Sequence, residues 1–399
     1  MLRMNCLIPM LVLLAPLLLS ACQPVLEPMA TSVPTPPPAP SPMPSPTPSP
    51  VPSPRPSLTP APAPSPTATP SPVAKVEMQL KKDEITSQAL AGNLLGDPNV
   101  RTFYVLLPPS YDISDSRYPV VYVLPWGDGD PSANAWGFKT AAEELLRTGK
   151  SKEMIVVVPD GTNKLRASHF RSSPTIGDYE TYITRELVDY VDTHYRTLPT
   201  RDSRGLTGCS NGGDATMRLA FKYPSVYSVA VVSGGVYDET PESNKPLLEE
   251  LATFTALPKD VDEVVRLTYS RHLIPWFIQV AAGTSSRPDK PPLYLDMPFR
   301  IVDEHAEIVP EISAQIVAHD SAHEARRYAQ QPLRLHGILI LHALYDNLNP
   351  TELVRGFDQL LTELGIEHEY VELEAGHCDL PWEYSSLTFM ADHLVFEQP

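Results

Sequence analysis

Apolar residues recur along the chain in two alternating patterns, one typical of buried strands and one of amphipathic helices. The helical pattern is clearest from Asp178 to His194, where apolar residues stand four positions apart on one face. Runs rich in β-branched and aromatic residues predict strands at 100–107, 119–124, 154–158, 204–208, 227–232, 336–342 and 369–373. The alternation predicts an α/β fold, with a mainly parallel sheet and helices on both faces.

This alternation lapses between about 239 and 335. The segment contains helical stretches at 246–251 and 312–330 and scattered aromatic residues such as Trp276. An insertion before the penultimate strand would lie over the carboxyl ends of the strands, where ligands bind in open α/β sheets. We expect a helical cap that shapes a substrate pocket, with most of its aromatic side chains forming the cap's own core.

The first 21 residues have the pattern of an export signal. Arg3 precedes an apolar run from Leu7 to Leu19, which is too short and too interrupted by proline to span a membrane comfortably. The run ends in Leu-Ser-Ala-Cys22, which resembles the lipobox of bacterial lipoproteins. The resemblance implies cleavage before Cys22 and acyl chains on its thiol, which would hold the protein at the cell membrane or outer membrane. An ordinary secretory signal with a chance cysteine is the alternative.

Residues 22–75 consist mostly of Pro, Ser, Thr and Ala. Proline lacks the N–H donor that helices and sheet ladders need, and the segment offers almost nothing apolar to bury. We expect an extended tether here, followed by one globular domain from 76 to 399.

Charge and cysteine content exclude some classes of partner. The net charge of −17 argues against nucleic acid and against electrostatic attraction to anionic lipid. Of four cysteines, Cys6 would leave with the signal and Cys22 would be lipidated. Cys209 and Cys378 are expected to be buried thiols, with a disulfide between them as the lesser alternative.

A G-x-S-x-G pattern surrounds Ser210. In the nucleophile elbow of α/β-hydrolases, a sharp turn between a strand and a helix presents such a serine. Gly208 and Gly212 would be needed because side chains there would collide with neighbouring backbone. The N–H of Asn211 would begin the helix and point at a developing oxyanion. The pattern alone is weak, so a glycine-rich turn that merely contains a serine is the alternative.

A serine hydroxyl needs a base to take its proton and an acid to orient that base. In α/β-hydrolases the chain order is nucleophile, acid, histidine. Asp346 follows a predicted strand, and His377 lies in a loop after the last predicted strand. These are the acid and base candidates. Asp358, on the following helix, is a weaker alternative for the acid.

The helix after Asp346 is well marked. Asn349 is predicted as its N-cap, Pro350 as its first residue and Gly365 as its end. Asp346 would therefore lie on a loop at the carboxyl end of a strand, where an acid can reach the histidine. A solvated turn aspartate is the alternative.

His319 and His323 are four residues apart on a predicted helix, but no third metal ligand accompanies them. A solvated helix face is the better interpretation. We therefore expect neither a metal site nor an organic cofactor.

Several segments of the domain together resemble the "putative esterase" family of α/β-hydrolases, which includes esterase D, feruloyl and acetyl-xylan esterases, enterochelin esterases and the mycolyltransferases. The resemblance implies Ser210 as nucleophile, His377 as base and Asp346 as acid, with no cofactor. The segments are 117–124, 155–161, 177–183, 193–197, the G-x-S-x-G stretch and Gly376-His377.

One stretch departs from this family. Members usually have His-Gly after the strand that ends here at Leu124, and that loop supplies the second oxyanion donor. This chain has Pro125-Trp126-Gly127 instead. Proline has no N–H, so the donor would be Trp126 or Gly127. Trp126 could instead form a wall for the substrate.

These observations predict an extracytoplasmic, membrane-anchored serine esterase that hydrolyses small-molecule or polysaccharide-linked esters through an acyl-enzyme. Two alternatives remain open. One is an acyltransferase with the same three residues, and the other is a non-catalytic binding lipoprotein on a hydrolase fold. The sequence identifies neither the acyl group nor the alcohol, and it does not indicate an oligomeric state.

Overall fold

The computed structural model describes residues 76–127, 131–270, 273–379 and 381–397. The export signal, Cys22 and the proline-rich tether lie outside the described residues, so their predicted roles stay predictions. In the part that is described, no helix is long and apolar enough to cross a bilayer.

An eight-stranded sheet forms the centre of the domain, in the order β1-β2-β4-β3-β7-β8-β11-β12. All neighbours from β4 to β12 pair in parallel, and β1 and β2 form an antiparallel edge. The predicted mainly parallel α/β sheet is confirmed. The eight strands are β1 (Gln79–Thr86), β2 (Val100–Leu107), β3 (Val120–Leu124), β4 (Ile155–Pro159), β7 (Arg204–Cys209), β8 (Val229–Ser233), β11 (Gly337–Ala343) and β12 (Glu369–Leu373).

Two short antiparallel pairs stand outside this sheet. The first joins β5 (Ser172–Ser173) to β6 (Gly177–Asp178). The second, β9 (Phe299–Val302) and β10 (His305–Ile308), lies in the segment predicted to be a helical cap. The sequence pattern did not predict either pair.

Helices cover both faces of the sheet because its central strands are apolar on both sides. On one face Tyr122 packs in a core shared with α3 and α7, and on the other Val121 packs with residues of α1 and α11. The helices are α1 (Pro131–Arg147), α2 (Tyr179–Thr181), α3 (Leu187–His194), α4 (Asn211–Lys222), α5 (Lys245–Leu251), α6 (Val261–Tyr269), α7 (Ile274–Thr284), α8 (Pro310–Val317), α9 (Ser321–Tyr328), α10 (Thr351–Glu363) and α11 (Trp382–His393).

Two helix predictions need correction. The helix predicted at 312–330 is divided into α8 and α9, because the Asp320 side chain accepts the N–H of His323 at 2.6 Å and starts a new helix there. The other correction concerns Asn349, which is not the N-cap of α10. That helix begins at Thr351, and the Asn349 amide instead donates to the carbonyl of Gly235.

Candidate active site

Ser210 occupies a sharp turn between β7 and α4. Its backbone φ of 56° lies in the left-handed region, which residues other than glycine rarely adopt. The turn depends on close backbone approach: a Cβ at Gly208 would lie 2.3 Å from the carbonyl oxygen of Gly212, and one at Gly212 would lie 2.0 Å from that of Leu124. Strain of this kind costs on the order of 1–3 kcal/mol and persists where surrounding structure enforces it.

The structure brings Ser210, His377 and Asp346 together in one hydrogen-bonded row. His377 Nε2 lies 2.9 Å from Ser210 Oγ, and His377 Nδ1 lies 2.7 Å from Asp346 Oδ2. The three residues follow β7, β11 and β12, which belong to the parallel half of the sheet in the order β7-β8-β11-β12. With a proton on Nδ1, Nε2 is free to accept the serine proton.

Backbone donors hold the Asp346 carboxylate. Its Oδ1 accepts the N–H groups of Leu348 at 2.9 Å and Asn349 at 3.0 Å, while its side chain is fully buried. Both donors leave Oδ2 free to face the imidazole. Asp358, the weaker candidate, lies elsewhere and contacts His368 Nε2 at 2.8 Å.

Gly234, which follows β8, was missed by sequence reasoning. Its φ is 56°, and a Cβ there would lie 3.3 Å from His377 Cε1 and 3.5 Å from Asp346 Oδ2. The absence of a side chain at this position lets the histidine and the acid lie against the backbone. The Ser-Gly-Gly sequence directly after a buried strand was the available signal.

Cys209 and Cys378 form a disulfide, so the expectation of two free buried thiols was wrong. Their Cα atoms are 6.1 Å apart, within the usual range for such a bond. One cysteine precedes Ser210 and the other follows His377. The turn that presents the serine and the loop that presents the imidazole are thus covalently joined.

The three predicted oxyanion residues line one cleft together with Ser210 and His377. Trp126, Gly127 and Asn211 all contribute to this cleft, whose volume is about 780 Å³. The Trp126 side chain is 41% exposed, as a wall at the rim would be. The assignment of oxyanion donors stays a prediction.

Trp276, on α7 of the inserted segment, contacts the residue after the serine. Its Nε1 donates to Asn211 Oδ1 at 2.8 Å. This contact ties the insertion to the start of α4. Trp276 is therefore not one of the aromatic residues that form only the cap's own core.

A second, smaller cavity adjoins the large cleft at Ser210 and His377. Its volume is about 50 Å³, and Ser210 and His377 line both cavities. The small cavity has an apolar wall that includes Val236 and Leu348. Ser210 therefore borders both a small chamber and a large open cleft.

The buried carboxyl groups of Asp214, Glu239 and Asp320 cluster near Arg171. The Arg171 guanidinium pairs with Glu239 and lies 3.7 Å from Asp214 Oδ2. Burial raises the pKa of Glu239 well above its usual range, since the charge on Arg171 offsets only part of the desolvation and Asp214 adds repulsion. Burial raises the pKa of Asp320 to about 7, although two backbone N–H groups favour its ionised form.

Among the described residues, no group of three or more His, Cys, Asp and Glu side chains could hold a metal ion. His319 is exposed in the turn between α8 and α9, so it does not share a helix with His323, and its Nδ1 lies 2.9 Å from the carbonyl oxygen of Gln315 in α8.

Part of the sequence matches a known family and known proteins. The family model described as "Esterase: Putative esterase" matches residues 98–288, a little under half of the chain. The chain is 31% identical over 133 residues to Esterase Rv1288 of Mycobacterium tuberculosis, covering 33% of this chain and 28% of that protein. It is 28% identical over 149 residues to an endo-1,4-beta-xylanase/feruloyl esterase of Xylanibacter ruminicola, covering 35% and 20%. The chain thus spans less than a third of the length of these two relatives.

Solved structures share the fold. A ferulic acid esterase superimposes with a TM-score of 0.51 at 18% identity, covering 80% of this chain and 100% of that one. A fluorophosphonate-binding serine hydrolase of Staphylococcus aureus gives 0.53 at 14% identity, covering 79% and 99%. The sheet order and these neighbours identify an α/β-hydrolase fold, and together with the family match they confirm the resemblance seen in the sequence.

Proposed function

We propose that this α/β-hydrolase, whose residues 98–288 match the "putative esterase" family model, is a serine esterase that cleaves carboxylic esters through an acyl-enzyme. One observation carries the proposal. Ser210 Oγ, the imidazole of His377 and the carboxylate of Asp346 form a continuous row with contacts of 2.9 and 2.7 Å. This arrangement raises the reactivity of an otherwise weak nucleophile.

In the proposed reaction, Ser210 Oγ attacks the ester carbonyl carbon while His377 Nε2 takes the hydroxyl proton. Asp346 holds the imidazole in the required tautomer and stabilises its positive charge. The tetrahedral intermediate collapses when the C–O bond to the alcohol breaks and His377 returns the proton to the leaving oxygen. Water then attacks the acyl-enzyme by the same route and releases the acid.

The oxyanion that develops in each step needs fixed donors. Asn211, at the start of α4, offers one N–H, and Trp126 or Gly127 is the proposed source of the second. Removing one such donor typically costs about 3–4 kcal/mol of transition-state stabilisation. The presence of Pro125-Trp126 where the family usually has His-Gly therefore affects the rate of ester cleavage directly.

Two relatives have names that agree with this proposal, an esterase and a feruloyl esterase. We propose a small-molecule or polysaccharide-linked ester as the substrate. The open cleft beside Ser210 supports this, because it would admit an alcohol part of considerable size.

We also propose that the enzyme works outside the cytoplasm, anchored through lipid on Cys22. The Leu-Ser-Ala-Cys pattern supports the anchor. The Cys209–Cys378 disulfide supports the compartment, because such bonds persist mainly where the environment is oxidising.

The test combines labelling with turnover. A fluorophosphonate probe should label Ser210, and the wild-type protein should hydrolyse a short p-nitrophenyl ester. Ser210→Ala should lose both, with a fall of at least about 10⁴-fold in kcat. The exposed Ser116→Ala control should keep both. Undiminished hydrolysis by Ser210→Ala would contradict the mechanism, and transfer to an added alcohol that outruns hydrolysis would make the protein an acyltransferase.

A further inference from the structure

The small cavity beside Ser210 is lined by two amide groups, each of which has a hydrogen-bonding group without a partner in the residues that the structure describes. Asn244 and Asn349 both line this cavity, and they are 5% and 2% exposed. Asn244 is the N-cap of α5, so its Oδ1 accepts the N–H of Leu247 at 3.0 Å. Among the described residues, no group accepts a hydrogen bond from its Nδ2.

Asn349 presents the complementary group. Its Nδ2 donates to the carbonyl of Gly235, which fixes the orientation of the amide. Within the described part of the chain, no donor is paired with its Oδ1. Asn244 and Asn349 therefore offer the cavity one free donor and one free acceptor, and the other end of each amide is held by a hydrogen bond to the backbone.

A third polar residue of the cavity is already engaged. Asp214 lines the cavity, but its Oδ1 lies 3.4 Å from Ser321 Oγ and its Oδ2 faces Arg171 at 3.7 Å. The other walls are mainly apolar and include Leu273 and Trp276. A ligand in this cavity thus meets a mainly apolar surface, on which Asn244 offers a donor and Asn349 an acceptor.

Cavity size decides which part of an ester enters. The chamber has a volume of about 50 Å³, against about 780 Å³ for the open cleft. Since a single water needs roughly 10–15 Å³ by this measure, the chamber holds a short chain of about four non-hydrogen atoms. A bulky alcohol fits only the open cleft, so the acyl part of the substrate occupies the small chamber.

We propose that this chamber selects short acyl groups carrying a hydroxyl, which accepts from Asn244 Nδ2 and donates to Asn349 Oδ1. A hydroxyl supplies one acceptor and one donor, the counterpart of what the two amides leave free. An unsubstituted acyl chain would leave both buried amide groups unpaired and would lose binding energy for that reason. The inference deepens the proposed esterase function and rests on it.

The experiment compares matched ester pairs that share one alcohol. Propanoyl is paired with 2-hydroxypropanoyl, and butanoyl with 3-hydroxybutanoyl, as p-nitrophenyl esters. Each rate is corrected for the ester's spontaneous hydrolysis, and kcat/KM is expressed as the ratio of hydroxylated to parent ester. For the wild-type protein, at least one pair should give a ratio of about ten or more.

Asn244→Asp tests the donor without removing the helix cap. Aspartate keeps the oxygen that accepts from Leu247 N–H but replaces the free donor with an acceptor. Because Asn349 already takes the only hydroxyl proton, the new carboxylate would face the hydroxyl lone pairs. The ratio should fall to about one. Asn347→Asp places the same charge in the open cleft and outside the chamber, and because both esters of a pair share one alcohol it should keep the wild-type ratio.

The outcomes separate this inference from the proposed function. Ratios near one for both pairs in the wild-type protein, with esters still hydrolysed and Ser210 still labelled, would overturn the selectivity alone. An Asn244→Asp ratio equal to the wild-type ratio would also overturn it. Failure to hydrolyse any ester, with no labelling of Ser210, would overturn the proposed function and this inference with it.

Discussion

Cys209 and Cys378 are bonded to each other, so the residues flanking Ser210 and His377 are joined across 169 positions of the chain. A covalent bond at this point restricts how far the serine and the imidazole can separate. The 2.9 Å contact between Ser210 Oγ and His377 Nε2 is therefore held by this covalent bond as well as by side-chain packing.

Removing this disulfide should lower both stability and turnover. We expect Cys209→Ala/Cys378→Ala to lose about 2–4 kcal/mol of unfolding free energy, because the cross-link restricts the unfolded chain. The rate of fluorophosphonate labelling should fall while KM for a short ester changes little. Urea unfolding and labelling kinetics measure the two effects. A thiol assay should find no free thiol from Cys209 and Cys378 in the unreduced domain; two would contradict the bond.

Asp346 should matter through the imidazole that it orients. Asp346→Asn should lower kcat by about 10⁴-fold, because an amide at this place favours the wrong histidine tautomer. Asp358→Asn is the matched control, since Asp358 also contacts a histidine but lies outside the proposed site. Steady-state kinetics on one ester provides the comparison. A large loss in the Asp358 variant and none in the Asp346 variant would exchange their assignments.

Trp276 should influence the chemical step through Asn211. Trp276→Phe removes the donor to Asn211 Oδ1 but keeps an aromatic ring, so we expect kcat to fall about three- to tenfold. Trp136→Phe, at a 56% exposed position on α1, is the control and should leave kcat at its wild-type value. Equal kcat values for all three proteins would show that the contact does not position Asn211.

Asp320 should make the domain less stable as pH rises. Its pKa is raised by burial from 3.8 to about 7, so between these values the folded state binds more protons than the unfolded state. The contribution of Asp320 to the unfolding free energy is therefore most favourable below about pH 4, and it is lost as pH rises towards 7. The loss is at most about 1.4 kcal/mol per pH unit.

Urea unfolding at pH 5, 6 and 7 measures this dependence. Asp320→Asn should make the decline in unfolding free energy with pH smaller, whereas Asp262→Asn, which removes an exposed carboxyl group, should leave it unchanged. The raised pKa of Glu239 acts in the same direction, so part of the decline should persist in the Asp320 variant. If the unfolding free energy of the Asp320→Asn variant fell with pH as steeply as that of the wild-type protein, the raised pKa of Asp320 would be contradicted.

Cys22 should determine where the full chain is found. Cys22→Ser should move the protein from the detergent phase to the aqueous phase in a Triton X-114 partition, because no acyl chain could be attached. Cys6→Ser, within the proposed signal, should still partition with detergent. If both variants partition alike, lipid on Cys22 is not the anchor.

The sequence located most of the sheet because buried strands leave a strong apolar signal. Strands β2 and β12 have the predicted bounds, whereas β1 escaped notice because its residues are largely polar. Ser210 and His377 stood in short motifs, and Asp346 was found from its position after a strand. Its two backbone donors became visible only in the folded loop.

Contacts between distant segments were beyond the reach of sequence reasoning. The pairing of Cys209 with Cys378 depends on how β7 and β12 approach each other, and nothing local distinguishes a buried thiol from half of a disulfide. The contact of Trp276 with Asn211 likewise depends on how the insertion folds back. The free amide groups of Asn244 and Asn349 could be recognised only after their other hydrogen bonds were assigned.

The hydrogen bond between Trp276 and Asn211 limits how freely the inserted segment could be exchanged for that of a relative. A chimaera that kept the sheet but replaced this segment would lose the indole that secures the first residue of α4. Altered substrate preference in such a hybrid would then be accompanied by slower chemistry, unless the transplanted segment brought its own donor to the same amide oxygen.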